Sequence, residues 1–269
     1  MAHAQFLKRP AIVTSFSVNF LGQAGFRLSS ATHTIYIDPY LSDSVRILDV
    51  PDLVRQVPVP VEAHEIQDAD VVLITHEHID HCDPHTLPAL AAASSQAWFV
   101  GPTPVLNRLR EWGLPEERLQ LAQENWTRLV PGLELCAVPA AHPCIERDSR
   151  GCLACVGYVL KGETGELAYF AGDTGVVQEL IDTLKGLGQF QTAFLPVNEQ
   201  NFFRARRGII GNMSVREAFL FAEEIGAAKI FPCHWDMFAA NTAYPEEITL
   251  IRDKLQASCV VLSSPCELF

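Results

Sequence analysis

Alternation of apolar and polar positions dominates the start of the chain. FSVNFL and FRL, separated by Gly22 and Gly25, and then THTIYIDPYL predict a β-meander. ADVVLIT is a short continuous apolar run, the pattern of a strand covered on both faces. TLPALAAASS is helical in composition, and AWFVG reads as a strand. PTPVLNRLREWG carries helix start signals at Pro102 and Thr103 and a stop at Gly113. LELCAVPA, GYVLKGETGELAYFAG and TAFLPV add strands, with GETG turning a hairpin. MSVREAFLFAEEIG predicts an amphipathic helix with Ser214 as N-cap, Glu217 three residues later and Gly226 as its stop. KIFPCH as strand, PEEITLIRDKLQ as helix and CVVLSS as strand complete the pattern.

Residues 43–68, with Pro51, Pro58 and Pro60, read as an irregular insertion, either a plain connector or a flap over a site. No repeat or low-complexity linker divides the chain. Strands followed by strand–helix alternation therefore predict one domain over 1–269, with two sheets and outer helices. Composition agrees: 48% of the 269 residues are hydrophobic and 19% charged, which excludes a disordered chain. The formal net charge of −12 argues against nucleic acid as a partner, because phosphate binding needs a basic surface. Neither a dinucleotide fingerprint, a phosphate-binding P-loop nor a serine-hydrolase elbow is present. No apolar run approaches the ~18 residues of a membrane helix. The residues after Lys8 and Arg9 lack the uninterrupted apolar core of a signal peptide, so the expectation is a cytoplasmic protein without a membrane partner. The eight cysteines are then expected as reduced thiols, with Cys152 and Cys155 read as two residues of a strand.

Histidine changes this picture. Four of nine fall within ten residues, as His76, His78, His81 and His85, directly after the buried run VVLI. His3, His33 and His64 read as isolated solvated residues, and His85 as a surface residue at a helix start. In Thr75-His76-Glu77-His78-Ile79-Asp80-His81, four potential ligands leave one strand end within six residues. Neutral imidazoles and carboxylates are good ligands for divalent metals, and clustered imidazoles otherwise repel when protonated. His76 and His78 share one direction of an extended backbone, while Asp80 and His81 follow where the chain turns. His142, Asp173 and His234 each follow an apolar strand, where active sites gather in α/β folds. His76, His78 and His142 can form a three-histidine site, Asp80, His81 and His234 a second, and Asp173 can bridge them. Two metals ~3.5–4 Å apart with a hydroxide between them are expected, with Asp80 as both ligand and catalytic proton acceptor.

This constellation of His76, His78, Asp80, His81, His142, Asp173 and His234 resembles the metallo-β-lactamase superfamily over essentially the whole chain. Within it, NFLGQAGFRL, IDPY, ADVVLITHEHIDH, RGIIGNMS and FPCHWDMFAANTAYPEEI make the chain similar to the L-ascorbate-6-phosphate lactonase-like family. The resemblance implies an α/β fold, an αββα sandwich of two mixed sheets with outer helices. It also implies a metal-bound hydroxide that opens a lactone or ester of a small anionic substrate. Phosphodiesterases of the phospholipase-D-like branch and iron-dependent oxidoreductases on the same fold are the alternatives. His78 points to hydrolysis, because oxidoreductases of the superfamily usually carry Glu there. Zinc suits the ligands best, and manganese or iron tolerates them.

Asp38 reads either as support for a ligand histidine or as a turn residue before Pro39, and Thr174 as the same support for Asp173. Arg204, Arg206 and Arg207 form a dense basic cluster flanked by Asn198 and Asn212. Arg207, in the RGI–MS run, is the expected anion contact. Asn198, Asn212, Trp235 and Asp236 complete the expected substrate-binding set. A homo-oligomer is compatible with all of this.

Overall fold

The alternation at the start of the chain is realised as β1 (Phe16–Gly22), in which Phe16 and Val18 are buried and Ser17 and Asn19 exposed. The structure, a computed structural model, describes residues 15–262 and 266–269. The readings of His3, of the 8–14 stretch and of 263–264 lie outside these residues, as does the side chain of Cys266.

β1, β2 (Gly25–Ser29) and β3 (Thr34–Ile37) form the expected antiparallel meander. β4 (Val71–Leu73), β5 (Trp98–Gly101) and β6 (Leu119–Leu121) then extend it in parallel. α1 (Leu87–Ala93) and α2 (Thr103–Glu111) provide the crossovers around β5. The second sheet repeats this plan. β7 (Thr127–Val130), β8 (Leu133–Pro139), β9 (Val156–Gly162) and β10 (Leu167–Phe170) pair antiparallel. α3 (Gln178–Leu187), β11 (Phe190–Pro196), the short α4 (Phe202–Ala205) and α5 (Val215–Glu224) come next. β12 (Ala227–Cys233), α6 (Pro245–Leu255) and β13 (Val260–Val261) complete this sheet, its last strands parallel. β14 (Cys266–Leu268) returns to pair with β1. Among the described residues each sheet has seven strands. Ser214 and Glu217 form the predicted capping box on α5.

Period-two alternation decides which layer each side chain enters. Ile35, Ile37, Ala168 and Phe170 face between the sheets, whereas Tyr36 packs against the helical layer of α1 and α2 and Tyr169 against that of α3, α5 and α6. Phe26 lies at the centre of the inter-sheet core, 5.3 Å from Phe170 and 4.9 Å from Phe194, ring centroid to centroid. The architecture is thus helices, sheet, sheet, helices. Among the described residues, no helix is long and apolar enough to cross a membrane.

The parallel strands β3, β4, β10 and β12 end at one edge of the sandwich, and their following residues hold the chemistry. The Val156 N–H donates to Thr75 O at 3.0 Å and Tyr158 Oη donates to Ile74 O at 2.8 Å, joining the two sheets there. The 43–68 insertion covers that edge. Its Val45 and Leu53 are buried against Tyr40, Met237 and Phe238, and Arg55 pins it by donating to the carbonyls of Tyr40, Ser42 and Val57. Cys152 and Cys155 lie in the loop before β9 and not in a strand, because the chain must turn there to bring Cys155 beneath Asp173. The seven described cysteines are free thiols.

Candidate metal centre

Three positions of left-handed backbone meet at this edge: Gln23 (φ 59°), Asp38 (φ 41°) and His234 (φ 60°). Such conformations are uncommon for residues other than glycine and persist where surrounding contacts hold them. Here the contacts are specific. The His234 N–H donates to Gln23 O at 2.6 Å, and Asp38 accepts from the Thr75 N–H and hydroxyl at 2.8 and 2.6 Å.

His76, His78 and His142 converge as one group, His76, His81 and Asp173 as another, and Asp80, His81 and His234 as a third. Each group offers ligand atoms within 4.8 Å of one another. Asp173 joins them: its Oδ1 is 3.1 Å from His234 Nε2 and 3.3 Å from His81 Nε2, and its Oδ2 is 3.5 Å from His142 Nε2. Metal–nitrogen bonds of about 2.0–2.1 Å at a tetrahedral angle separate ligand nitrogens by about 3.3–3.4 Å. His81 Nε2 and His234 Nε2 are 3.3 Å apart, and His142 Nε2 and His78 Nδ1 3.1 Å. His76 Nε2 is buried with no hydrogen-bond partner among the described residues. Buried polar atoms need partners, and a cation within these groups supplies one. The donor set therefore fits divalent metal, with a three-histidine pocket on one side and an Asp/His pocket on the other.

Electrostatics divide the rings in the same way. Burial pushes the His142 ring down to about 4 and His76 well below its ordinary value. Burial also opposes charge on His234 and His81, but Asp173 outweighs it, raising His234 to about 9 and His81 well above the ordinary value. Burial pushes Asp80 and Asp173 up, yet the neighbouring His81 and His234 hold both carboxyls below their usual range. For protein stripped by a chelator, these shifts set opposite pH windows. The raised His234 stabilises the fold fully below pH ~6.5 and loses that contribution as pH rises through about 9. The depressed His142 destabilises as pH falls from ~6.5 toward about 4. The melting temperature of the stripped protein is expected to peak near neutrality and fall on both sides. A profile that stays level from pH 6.5 to 9 contradicts this.

The neighbours of these residues follow the sequence reading in part. Asp38 Oδ2 is 2.8 Å from His81 Nδ1, which fixes the tautomer that presents Nε2 to the cluster. Asp38→Asn is expected to lower metal affinity or turnover about 10–100-fold, read by competition with a chromogenic chelator. Thr174 does not support Asp173. Its hydroxyl accepts from the Ala141 N–H at 2.9 Å and donates to Gly175 O, so it holds the loop that carries His142. Gln23 is absent from the sequence-based candidates, yet its buried Nε2 donates to Asp80 Oδ2 at 2.7 Å and lies 3.1 Å from His234 Nε2. His85 is exposed before α1, as expected.

A cavity of about 160 Å³ opens onto His78, Asp80, His142, Asp173 and His234, and Arg207 lines it. The other four expected substrate contacts do not. Asn198 and Asn212 are buried and pair with each other at 2.9 Å, because the 198–212 loop closes on itself. Asn198 also donates to Asn241, which does reach the cavity. The Trp235 indole N–H turns back to Pro232 O and its ring joins the helical layer. Asp236 accepts from the Gln23 N–H at 3.0 Å and so holds that turn. Within the 43–68 insertion, Val45, Asp49, Val50 and Leu53 line the cavity.

The β-lactamase superfamily domain matches residues 33–235, and the chain belongs to that family. An uncharacterized protein of Mycobacterium tuberculosis is 29% identical over 222 residues, 82% of this chain and 59% of the relative. The chain thus spans under two thirds of that relative's length. A UPF0173 metal-dependent hydrolase of Hyperthermus butylicus is 28% identical over 94% of this chain and 98% of its own. Among solved structures, the metallo hydrolase Igni18 of Ignicoccus hospitalis superposes with TM-score 0.69 at 20% identity, covering 95% of this chain and 99% of its own. An isothiocyanate hydrolase from Delia radicum gut bacteria also gives 0.69, at 18% identity, covering 94% and 98%. These likenesses show the metallo-β-lactamase fold.

Proposed function

We propose that the protein is a hydrolase that uses two divalent cations, zinc in first place, to open a lactone or ester of a small substrate. The observation that carries this reading is the placement of Asp173, whose two oxygens face two separate ligand groups. The relatives named as metal-dependent hydrolases support the hydrolytic class. The lactone or ester form rests on the resemblance to the L-ascorbate-6-phosphate lactonase-like family. Bound at these groups, the cations supply Lewis acidity that acidifies a water and polarises the substrate oxygen.

The chain's own residues provide the rest. His76, His78 and His142 would hold one cation, and Asp80, His81 and His234 the other. Gln23 and Asp38 orient Asp80 and His81 through their hydrogen bonds. Water adds to the carbonyl carbon, the acyl C–O bond breaks, and the proton leaves through Asp80 to the departing oxygen. Arg207, exposed at the cavity, binds an anionic substituent. Arg207→Ala is expected to raise KM about tenfold for an anionic substrate with little change in kcat; an unchanged KM removes Arg207 from this role. The same arginine favours phosphodiester cleavage as the second reading.

Elemental analysis combined with a screen of lactones, carboxylic esters and bis-p-nitrophenyl phosphate tests the proposal. Two metals per chain, turnover that vanishes with a chelator and its return on adding metal are expected. Full hydrolase activity in metal-free protein would sink the proposal.

A further inference from the structure

Two openings reach the clustered histidines, and they differ in character. One, of about 120 Å³, meets His76, His78 and His142 past Glu77, Cys144 and Glu146. The other is the cavity of about 160 Å³ that carries Arg207, and hydrocarbon makes up most of its wall. Val45, Val50, Leu53, Ile79, Ile209 and Phe238 line it. All six belong to one apolar cluster that also contains the buried Tyr40 and Met237. The wall is therefore backed by packed side chains. Apart from the clustered histidines and aspartates, its polar side chains among the described residues are Asp49, Arg207 and Asn241. Asn241 already accepts a hydrogen bond from Asn198.

From this we infer that the substrate presents a short aliphatic group beside its scissile bond, seated between the 45–53 segment, Ile209 and Phe238. A polyhydroxylated ring placed against the face of Val45, Val50, Leu53, Ile209 and Phe238 would lose water from its hydroxyls without gaining partners on that face, which disfavours it. An alkyl group gains about fourfold in affinity for each methylene it buries. The cavity is smaller than the roughly 300–1,000 Å³ of drug-sized ligand sites, so the gain stops after a few carbons. The inference rests on the hydrolase reading for the bond that is cut, but the shape and chemistry of the wall are independent of it.

Two measurements on the metal-loaded protein separate the two. Calorimetry with straight-chain carboxylates from acetate to decanoate, as product-like ligands, is expected to show affinity rising about fourfold per methylene and then levelling. Steady-state kinetics with γ-lactones of increasing alkyl chain are expected to show the same slope in kcat/KM, with gluconolactone a poor substrate. Ile209→Ser and Val50→Ser, at half-exposed positions, are each expected to flatten the calorimetric series. A flat or falling carboxylate series in the wild-type protein overturns the aliphatic subsite, and so does preferred turnover of gluconolactone. A rising carboxylate series with no lactone or ester turned over supports the subsite and overturns the lactone or ester reading instead.

Discussion

Asp173→Ala is expected to abolish turnover by a factor of at least about a thousand, equivalent to about 4 kcal/mol of transition-state stabilisation. On the two-cation proposal, metal content is expected to fall from two per chain to one or none. The reasoning starts from position. Asp173 follows β10 and is buried, with one oxygen 3.1 Å from His234 Nε2 and the other 3.5 Å from His142 Nε2. Among the clustered histidines Asp38 reaches only His81 and Asp80 only His81 and His234, so of these carboxylates Asp173 alone touches both ligand groups. On that proposal alanine removes a shared ligand from both groups at once, and it removes the anion that offsets burial of His81 and His234. Asp173→Asn separates these effects. The amide keeps the size and one acceptor but drops the charge, so it is expected to retain fold stability better than alanine while still losing metal. The decisive readings are elemental analysis and kcat. Two metals per chain in Asp173→Ala, with kcat within tenfold of the parent, would exclude Asp173 as a shared ligand.

The residues at the centre of the site are legible in the sequence because their chemistry is specific and each follows an apolar strand. His76, His142, Asp173 and His234 come after β4, β8, β10 and β12, and strand ends are set by local pattern. Gln23 is illegible for the opposite reason. A glutamine between Gly22 and Ala24 reads as a turn residue, and only folding brings it 3.1 Å from His234, 211 positions away. Asn198 and Asn212 suggest a pocket because they flank the arginine cluster, and Asp236 because it directly follows the His234-Trp235 pair. Their side chains instead satisfy other buried polar groups, a demand that linear order does not display. α3 lacks a start signal in the sequence, because Val177 stands at its N-cap position and offers no capping side chain, although the buried Leu180 and Leu184 mark its inner face. The short β6 and β7 lie at the ends of their sheets, where incomplete burial weakens the periodic signal.

Gly172→Ala is expected to cost about 2–6 kcal/mol of stability and to weaken metal binding although residue 172 offers no ligand. Two terms add. The glycine has φ +60°, where a side chain costs about 1–3 kcal/mol. A Cβ there would also lie 2.7 Å from Thr75 Cγ2 and 2.8 Å from its Oγ1, and overpacking of this kind costs about 1–3 kcal/mol. Thr75 is fully buried and cannot yield freely, because its N–H and hydroxyl both bond Asp38, which faces His81 Nδ1. If Thr75 gives way, Asp38 and His81 shift; if the glycine gives way, Asp173 beside it shifts. Gly165→Ala isolates the backbone term, since Gly165 has φ +96° in the β9–β10 turn with nothing within 4 Å of a Cβ. It is expected to lose stability through strain alone and to bind metal like the parent. Denaturant unfolding with excess metal and with chelator, on both variants, gives the comparison. Equal losses for the two variants, with parental metal affinity in Gly172→Ala, would mean that Thr75 does not couple the glycine to the site.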